Sequence, residues 1–334
     1  MKYFESEVNQ MSKYYFICNP VSQSGKGIKI WNEVEKYLKE QSIDYEVLFS
    51  ERSGHISELM KKVTTEHLNH ETPVNVIILG GDGTLDEALQ GIADFSKVNI
   101  GYVPTGSGND FARALSYESG AVENIKHILS IKEPKIYDLG KLEYMSVSDD
   151  RTCIAGKEIN PIRYFDVSCG IGFDAAICER ALASKVKDFL NRIGLGKLIY
   201  GLISVKLIFG DVKPKATIIF DEGESIEFDK LRFIVGMNTC YEGGGYKFAP
   251  AAVPDDGYLD ICVFNNMSPL EAISVIPKAA KGTHVSNKHV GQFHAKSYEV
   301  KSEIPLWVHT DGEVYTKSDH IRVSVVPGAL RFLK

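Results

Sequence analysis

Two glycine-rich turns hold the residues whose types and spacing can do chemistry. Gly80-Gly81-Asp82-Gly83-Thr84 follows the apolar run VNVIIL, and Thr105-Gly106-Ser107-Gly108-Asn109 follows VNIGYV. Glycine admits a close ligand and a left-handed backbone, so successive N–H groups can point into an anion. A helix starting directly after such a turn adds positive potential. Asp82 at that mouth repels a bare phosphate but suits a Mg²⁺ ion bridging phosphates. The plainer alternative is a tight strand–helix turn with Asp82 as its cap. Each turn alone is a weak signal. Two of them at neighbouring strand ends converge on one crevice at the carboxyl edge of a sheet, where open α/β sheets bind nucleotides.

Other phosphate motifs fail on inspection. Gly25-Lys26 lacks the Ser/Thr and the upstream Gly of a Walker A loop, and Phe111 stands where a GxGxxG starting at Gly106 needs its last glycine. Gly170 to Ala175 fits GxGxxA, but no clear second strand of a βαβ unit follows it.

These turns need an α/β frame, and residues 12–134 supply the pattern for one. Short apolar strands (YYFIC, YEVLF, VNVIIL, VNIGYV) alternate with helical spacings such as Ile28, Trp31, Val34, Leu38 and Ile56, Leu59, Met60, Val63. Strand–helix alternation implies crossovers and a mostly parallel sheet. Over 135–320 the rhythm changes to alternating runs (RYFDVSC, ATIIFD, LRFIVGMN, YLDICVF), interrupted by helical stretches near 174–209 and 269–280. This predicts a sheet-rich, antiparallel α+β second domain. The chain's 334 residues suit two domains. Its 44% hydrophobic content, 10% aromatic content and net charge of −6 exclude disorder and remove the bulk attraction a nucleic-acid binder uses. The six cysteines form no CxxC pair and read as reduced thiols of a cytoplasmic protein. The apolar stretch from Phe189 to Phe209 is broken by Asn191, Arg192, Lys197 and Lys206, which argues against a spanning helix.

The stretches NPVSQSGKG, GGDGTLDEALQG, PTGSGNDFAR, GIGFDA, GGGYKFAPAAVPDDGYLD and HTDGE, in this order, resemble the diacylglycerol kinase catalytic-domain family, which includes bacterial lipid kinases and sphingosine kinases. The resemblance implies a two-domain fold, an N-terminal α/β domain and a sandwich-like C-terminal domain with a nucleotide in the cleft between them. It implies transfer of the ATP γ-phosphate to a lipid hydroxyl, most directly from diacylglycerol to phosphatidic acid. By position, Asn19, Gly81, Gly83, Thr84 and Thr105 would line the nucleotide site, with the turn residues Gly80, Gly106, Ser107 and Asn109 beside them. Asp82 would lie near Mg²⁺ and the γ-phosphate, Asp311 would act as general base, and Glu313 would order the metal and its waters. Asp256, with the carbonyls of Val253 and Tyr258, matches a second, structural cation site. Residues 321–334 would return to the first domain. Two positions depart from the family pattern: Gln23 stands where Gly is common, and Asp86 where Asn is usual.

Competing functions are a soluble-substrate kinase of the NAD-kinase type, which shares GGDG turns, and a non-catalytic lipid or nucleotide binder; the intact Asp82, Asp311 and Glu313 argue against the latter. Lys185, Lys187, Arg192, Lys197 and Lys206 read either as a solvated helix face or as a basic-amphipathic surface touching anionic membrane. Further partner expectations are a second copy of the chain and no nucleic acid. His284, His289 and His294 recur at a spacing of five that does not stack on one helix face, and His309 reads as a packed strand residue. Gly243-Gly244-Gly245-Tyr246 reads equally as a cleft loop or a plain turn.

Overall fold

The computed structural model describes residues 13–117, 120–147, 160–182, 203–210, 212–221 and 223–334. In the first domain β1 (Tyr14–Cys18), β2 (Tyr45–Phe49), β3 (Val74–Gly80) and β4 (Val98–Pro104) pair in parallel in the order β4-β3-β1-β2. A one-turn helix α1 (Ser22–Gly25) precedes α2 (Gly27–Glu40) and α3 (His55–Glu66). The expected helical spacing holds on α2, where Trp31, Val34 and Leu38 are buried, although Ile28 faces solvent. Next come α4 (Asp82–Leu89), α5 (Asp110–Ala114) and α6 (Ala121–Ser130).

Helices cover both faces of this sheet, which is why β3 and β4 are apolar without alternation. One face buries Val76, Ile78, Ile100 and Tyr102 against α3, α4 and α5; the other buries Ile77, Leu79 and Val103 with residues of α2 and α6. The polar exceptions, Asn75 and Asn99, are register partners and hydrogen-bond each other at 2.9 Å.

The second half is antiparallel, as its patterning predicts. It comprises β5 (Lys135–Tyr144), β6 (Ile162–Phe165), β7 (Ser168–Gly172), α7 (Phe173–Leu182), β8 (Ala216–Phe220), β9 (Ser225–Phe228), β10 (Leu231–Met237), β11 (Leu259–Asn265), α8 (Pro269–Lys281), β12 (Val290–Ala295), β13 (Ser297–Thr310) and β14 (Glu313–Phe332). One core lies between strand layers around Leu142, Phe165, Ile218, Tyr298 and Val323, and another lies between the sheet and α7 and α8. The helical stretch expected over 174–209 is helical at 173–182 and 203–208; its middle lies outside the described residues, as do Lys185, Lys187, Arg192 and Lys197. No helix among the described residues is long and apolar enough to cross a membrane.

The 20-residue strand β14 ties the halves together. It leaves a tight hairpin with β13, pairs β5 along its second half, and ends with Phe332 beside Ile100 of β4, in parallel. There Phe332 packs on the rings of Phe111, Tyr117 and Tyr137.

Candidate active site

The two glycine turns touch. A Cβ on Gly106 would lie 2.8 Å from the Gly81 Cα, and one on Gly108 would lie 2.7 Å from the Asp82 carboxylate. Only glycine lets the backbones approach this closely. Gly81, not Asp82, occupies the N-cap of α4. The Asp82 carboxylate points instead to the second turn, accepting the N–H of Asn109 at 2.6 Å and of Asp110 at 2.9 Å. Asn109 holds that turn in shape with a left-handed backbone and two side-chain bonds to Gly106. Thr105 donates from its hydroxyl to Ser22, and Asn19 donates to Thr84 at 3.3 Å. Asn19, Gly80, Gly81, Gly83, Thr84, Thr105, Gly106 and Asn109 therefore form one wall, with Ser107 exposed at the tip of its turn. Gln23, within the one-turn α1, has φ +51°, a backbone region that glycine occupies without strain.

The third turn arrives from the other domain. Asp311 and Gly312, both at positive φ, form the two-residue bend between β13 and β14, the geometry an Asp-Gly pair favours. The Asp311 carboxylate accepts three backbone N–H groups, from Asp166 at 3.1 Å, Val167 at 3.0 Å and Ser168 at 2.9 Å. This capture breaks the expected continuous strand RYFDVSC into β6 and β7. Glu313 then reaches the first turn, where a Cβ on Gly83 would lie 3.2 Å from its Oε1. Asp82, Asp311 and Glu313, far apart in sequence, thus share one cleft.

That cleft is crowded with acids. Burial, with the charges of Asp110 and Asp311, pushes Asp82 up to about 7. Asp166, which the sequence reading passed over, is 2% exposed beside Asp311, and burial and that carboxylate hold it well above the usual range. Asp86 is buried but paired: Arg163 Nη2 lies 2.9 and 3.0 Å from its two oxygens, and Arg163 Nε donates to Thr310. The departure at Asp86 therefore has a physical partner. A dense set of desolvated carboxylates beside a glycine cradle is the donor chemistry that a hard divalent cation satisfies, so Mg²⁺ fits these residues.

A pH test follows. An acid with a raised folded pKa keeps its proton in the folded state where the unfolded chain releases it, so stability falls as pH rises through the folded pKa. Metal-free protein should lose melting temperature between about pH 4 and pH 7, and Mg²⁺ should restore more of it at the higher pH. Thermal melts with and without Mg²⁺ check this; Asp82→Asn should flatten the difference.

Four further groups lie around or away from this cleft. His309 is fully buried, with Nε2 at 3.2 Å from Asp174 and 3.3 Å from Glu242, so it is more than a packed strand residue. Burial lowers its pKa and the two carboxylates raise it, with a net rise; a second proton could go only to Nδ1, where the Gly312 N–H already points at 3.2 Å. The neutral Nε2–H tautomer is the one this geometry accommodates. The Gly243–Gly245 segment is a cleft loop: the Gly244 N–H donates to Asp110 at 2.6 Å and Gly245 lies against Arg113. Asp256 is exposed and accepts the Tyr258 N–H, while Gly257 between them donates to Asp138. His284, His289 and His294 each have separate neighbours: His284 the Phe248 carbonyl, His289 Glu271, and His294 Asp260.

Comparison with known proteins places the two halves of the chain in a family. Residues 13–142 match the family model described as diacylglycerol kinase catalytic domain, and residues 167–334 match the YegS C-terminal NAD kinase beta sandwich-like domain. The Bacillus subtilis protein named "Putative lipid kinase YtlR" is 28% identical over 325 residues, covering 96% of this chain and 99% of its own. A Mycobacterium tuberculosis protein named diacylglycerol kinase is 26% identical over 330 residues, covering 98% of this chain and 96% of its own. A crystal structure of a "putative diacylglycerol kinase" from Bacillus anthracis superposes with TM-score 0.71 at 21% identity, over 99% of this chain and 98% of that one, a likeness of fold. With a family model matched to each domain and the quoted turns of both domains meeting in one cleft, the chain belongs to the diacylglycerol kinase catalytic-domain family.

Proposed function

We propose that the protein is an ATP-dependent lipid kinase that transfers the γ-phosphate to a lipid hydroxyl, with diacylglycerol as acceptor and phosphatidic acid as product. The observation that carries this reading is the convergence of the glycine turns around Asp82 with the Asp311–Glu313 bend. The relatives named as diacylglycerol and lipid kinases support the acceptor class.

Phosphoryl transfer asks a protein mainly to position reactants and stabilise charge. Asn19, Thr84 and Thr105, with the amides of Gly80, Gly81, Gly83, Gly106 and Ser107, would hold the nucleotide phosphates. Asp82 and Glu313 would hold the metal and its waters; Mg²⁺, when bound, neutralises charge on the phosphate oxygens. Asp311, with its carboxylate oriented by three N–H donors, would accept the proton of the lipid hydroxyl as it attacks. Asp256, Val253 and Tyr258 would hold a structural cation outside the reaction. For the lipid's approach we propose peripheral contact with anionic membrane around Lys206, where Val205, Phe209 and Val212 are also exposed.

The test is transfer of labelled γ-phosphate from ATP and Mg²⁺ to diacylglycerol, monoacylglycerol, sphingosine and NAD in mixed micelles, wild type beside Asp82→Ala. Labelled lipid from wild type alone is expected. Labelled NADP would replace the lipid reading with the soluble-kinase one, to which the NAD-kinase-like second domain gives a structural basis. Co-sedimentation with anionic vesicles, run alongside, should fail if no membrane contact exists.

A further inference from the structure

We propose that His309 is a positioning residue: its imidazole, as the Nε2–H tautomer, fastens the Asp311–Gly312–Glu313 bend to a strap, Glu242–Tyr246, that reaches α5 of the other domain. The effect on turnover rests on the lipid-kinase reading above; the tautomer and the fastening do not.

The hydrogen bonds define the tautomer. The Gly312 N–H donates to Nδ1, so Nδ1 must keep its lone pair and the proton belongs on Nε2, between the Asp174 and Glu242 carboxylates. Asp174 is set in place by accepting the Ala175 N–H at 2.8 Å. Gly170, the register partner of His309, leaves the room: a Cβ there would lie 1.9 Å from Asp174 Oδ2 and 2.3 Å from His309 Nε2. The strap closes on itself through paired backbone bonds between Glu242 and Tyr246. From its tip the Gly244 N–H donates to Asp110, whose own N–H donates to Asp82. An unbroken run of contacts therefore joins Asp82, Asp110, Gly244, Glu242, His309, Gly312 and Asp311, both halves of the cleft included.

The same three side chains invite another reading, because their ligand atoms lie within 4.8 Å of one another, close enough for a metal ion. A metal on Nε2 would move the imidazole proton to Nδ1, directly against the Gly312 N–H. The geometry points to a proton at Nε2 instead.

The test uses the whole, unliganded protein labelled with ¹⁵N. The His309 ring should show a protonated Nε2 and a bare Nδ1, and the Gly312 amide should be protected from exchange. His309→Asn keeps an acceptor near the Nδ1 position and should retain that protection; His309→Phe should lose it. In the lipid assay both should lower kcat about tenfold or more with KM for ATP little changed, since misplacing a reacting group costs rate before binding. Should His309→Phe fail to fold, Glu242→Ala in the strap should still lower kcat and speed exchange at Gly244, with Glu242→Gln near wild type. A protonated Nδ1, stoichiometric Zn²⁺ bound by wild type and lost in His309→Asn, or unchanged Gly312 exchange in His309→Phe would overturn the proposal. Wild type that labels no lipid would overturn the kinase reading alone, because the ring and exchange measurements need no substrate.

Discussion

Asp311→Asn should lower lipid phosphorylation by about two to four orders of magnitude while ATP affinity changes little, the range expected for loss of a general base. The substitution is mild elsewhere. Asn tolerates the left-handed backbone that Asp311 adopts at φ +50°, and its single oxygen can still accept the Val167 and Ser168 N–H groups that share Oδ1 in the native site. What it loses is a carboxylate oxygen facing Asp166 and the capacity to take a proton. The lost contact should cost about 1–3 kcal/mol, so thermal melts must accompany the kinetics. A folded Asp311→Asn protein with near wild-type turnover would remove Asp311 from the role of base.

The second large effect is on stability. Arg163→Met should destabilise the fold by about 3–5 kcal/mol, because it strands the buried Asp86 carboxylate without its partner. Arg163 is 4% exposed, bridges both Asp86 oxygens, donates to Thr310 and lies 3.9 Å from the centre of the Tyr315 ring. Removing the stranded charge in the double variant Arg163→Met/Asp86→Asn should recover more than about half of the loss, since neighbouring sites couple strongly. Urea unfolding of the three proteins measures this. If the single variant is as stable as wild type, the ion pair contributes nothing net.

The two predictions concern residues that differ in how legible they were. Asp311 stands in a run, HTDGE, whose Asp-Gly turn and family likeness are visible without a structure. So were the glycine turns, because a strand ending in Gly-Gly-Asp-Gly and a helix starting at once leave few local conformations. Arg163 was not, because its partner Asp86 is 77 residues away and nothing local distinguishes a buried arginine. The unusual Asp86 was the available signal: an acid in a helix between the apolar positions Leu85 and Leu89 asks for a cation. The break between β6 and β7 was hidden for a similar reason. RYFDVSC alternates well enough for one strand, and it is the remote Asp311 carboxylate that draws three consecutive amides away from the ladder. Asp166 and Glu242 escaped because a lone acid in a strand or loop looks like surface until burial is known. His309 sits in a strand, as its surroundings predict, but its two carboxylate neighbours come from α7 and the β10–β11 loop, which sequence alone does not bring together.

The long last strand carries a consequence for how the molecule is made. Asn99 of β4 waits for Arg331, 232 residues later, before its sheet edge is covered. During synthesis the first domain therefore leaves the ribosome with one flank of its sheet open, and closes only when β14 arrives. Such distant pairing predicts slow assembly and a need for protection of that flank in the meantime. It also orders events usefully: Glu313 and Phe332 lie on the same strand, so the segment that completes the cleft also seals the first domain. A half-made chain has no working centre.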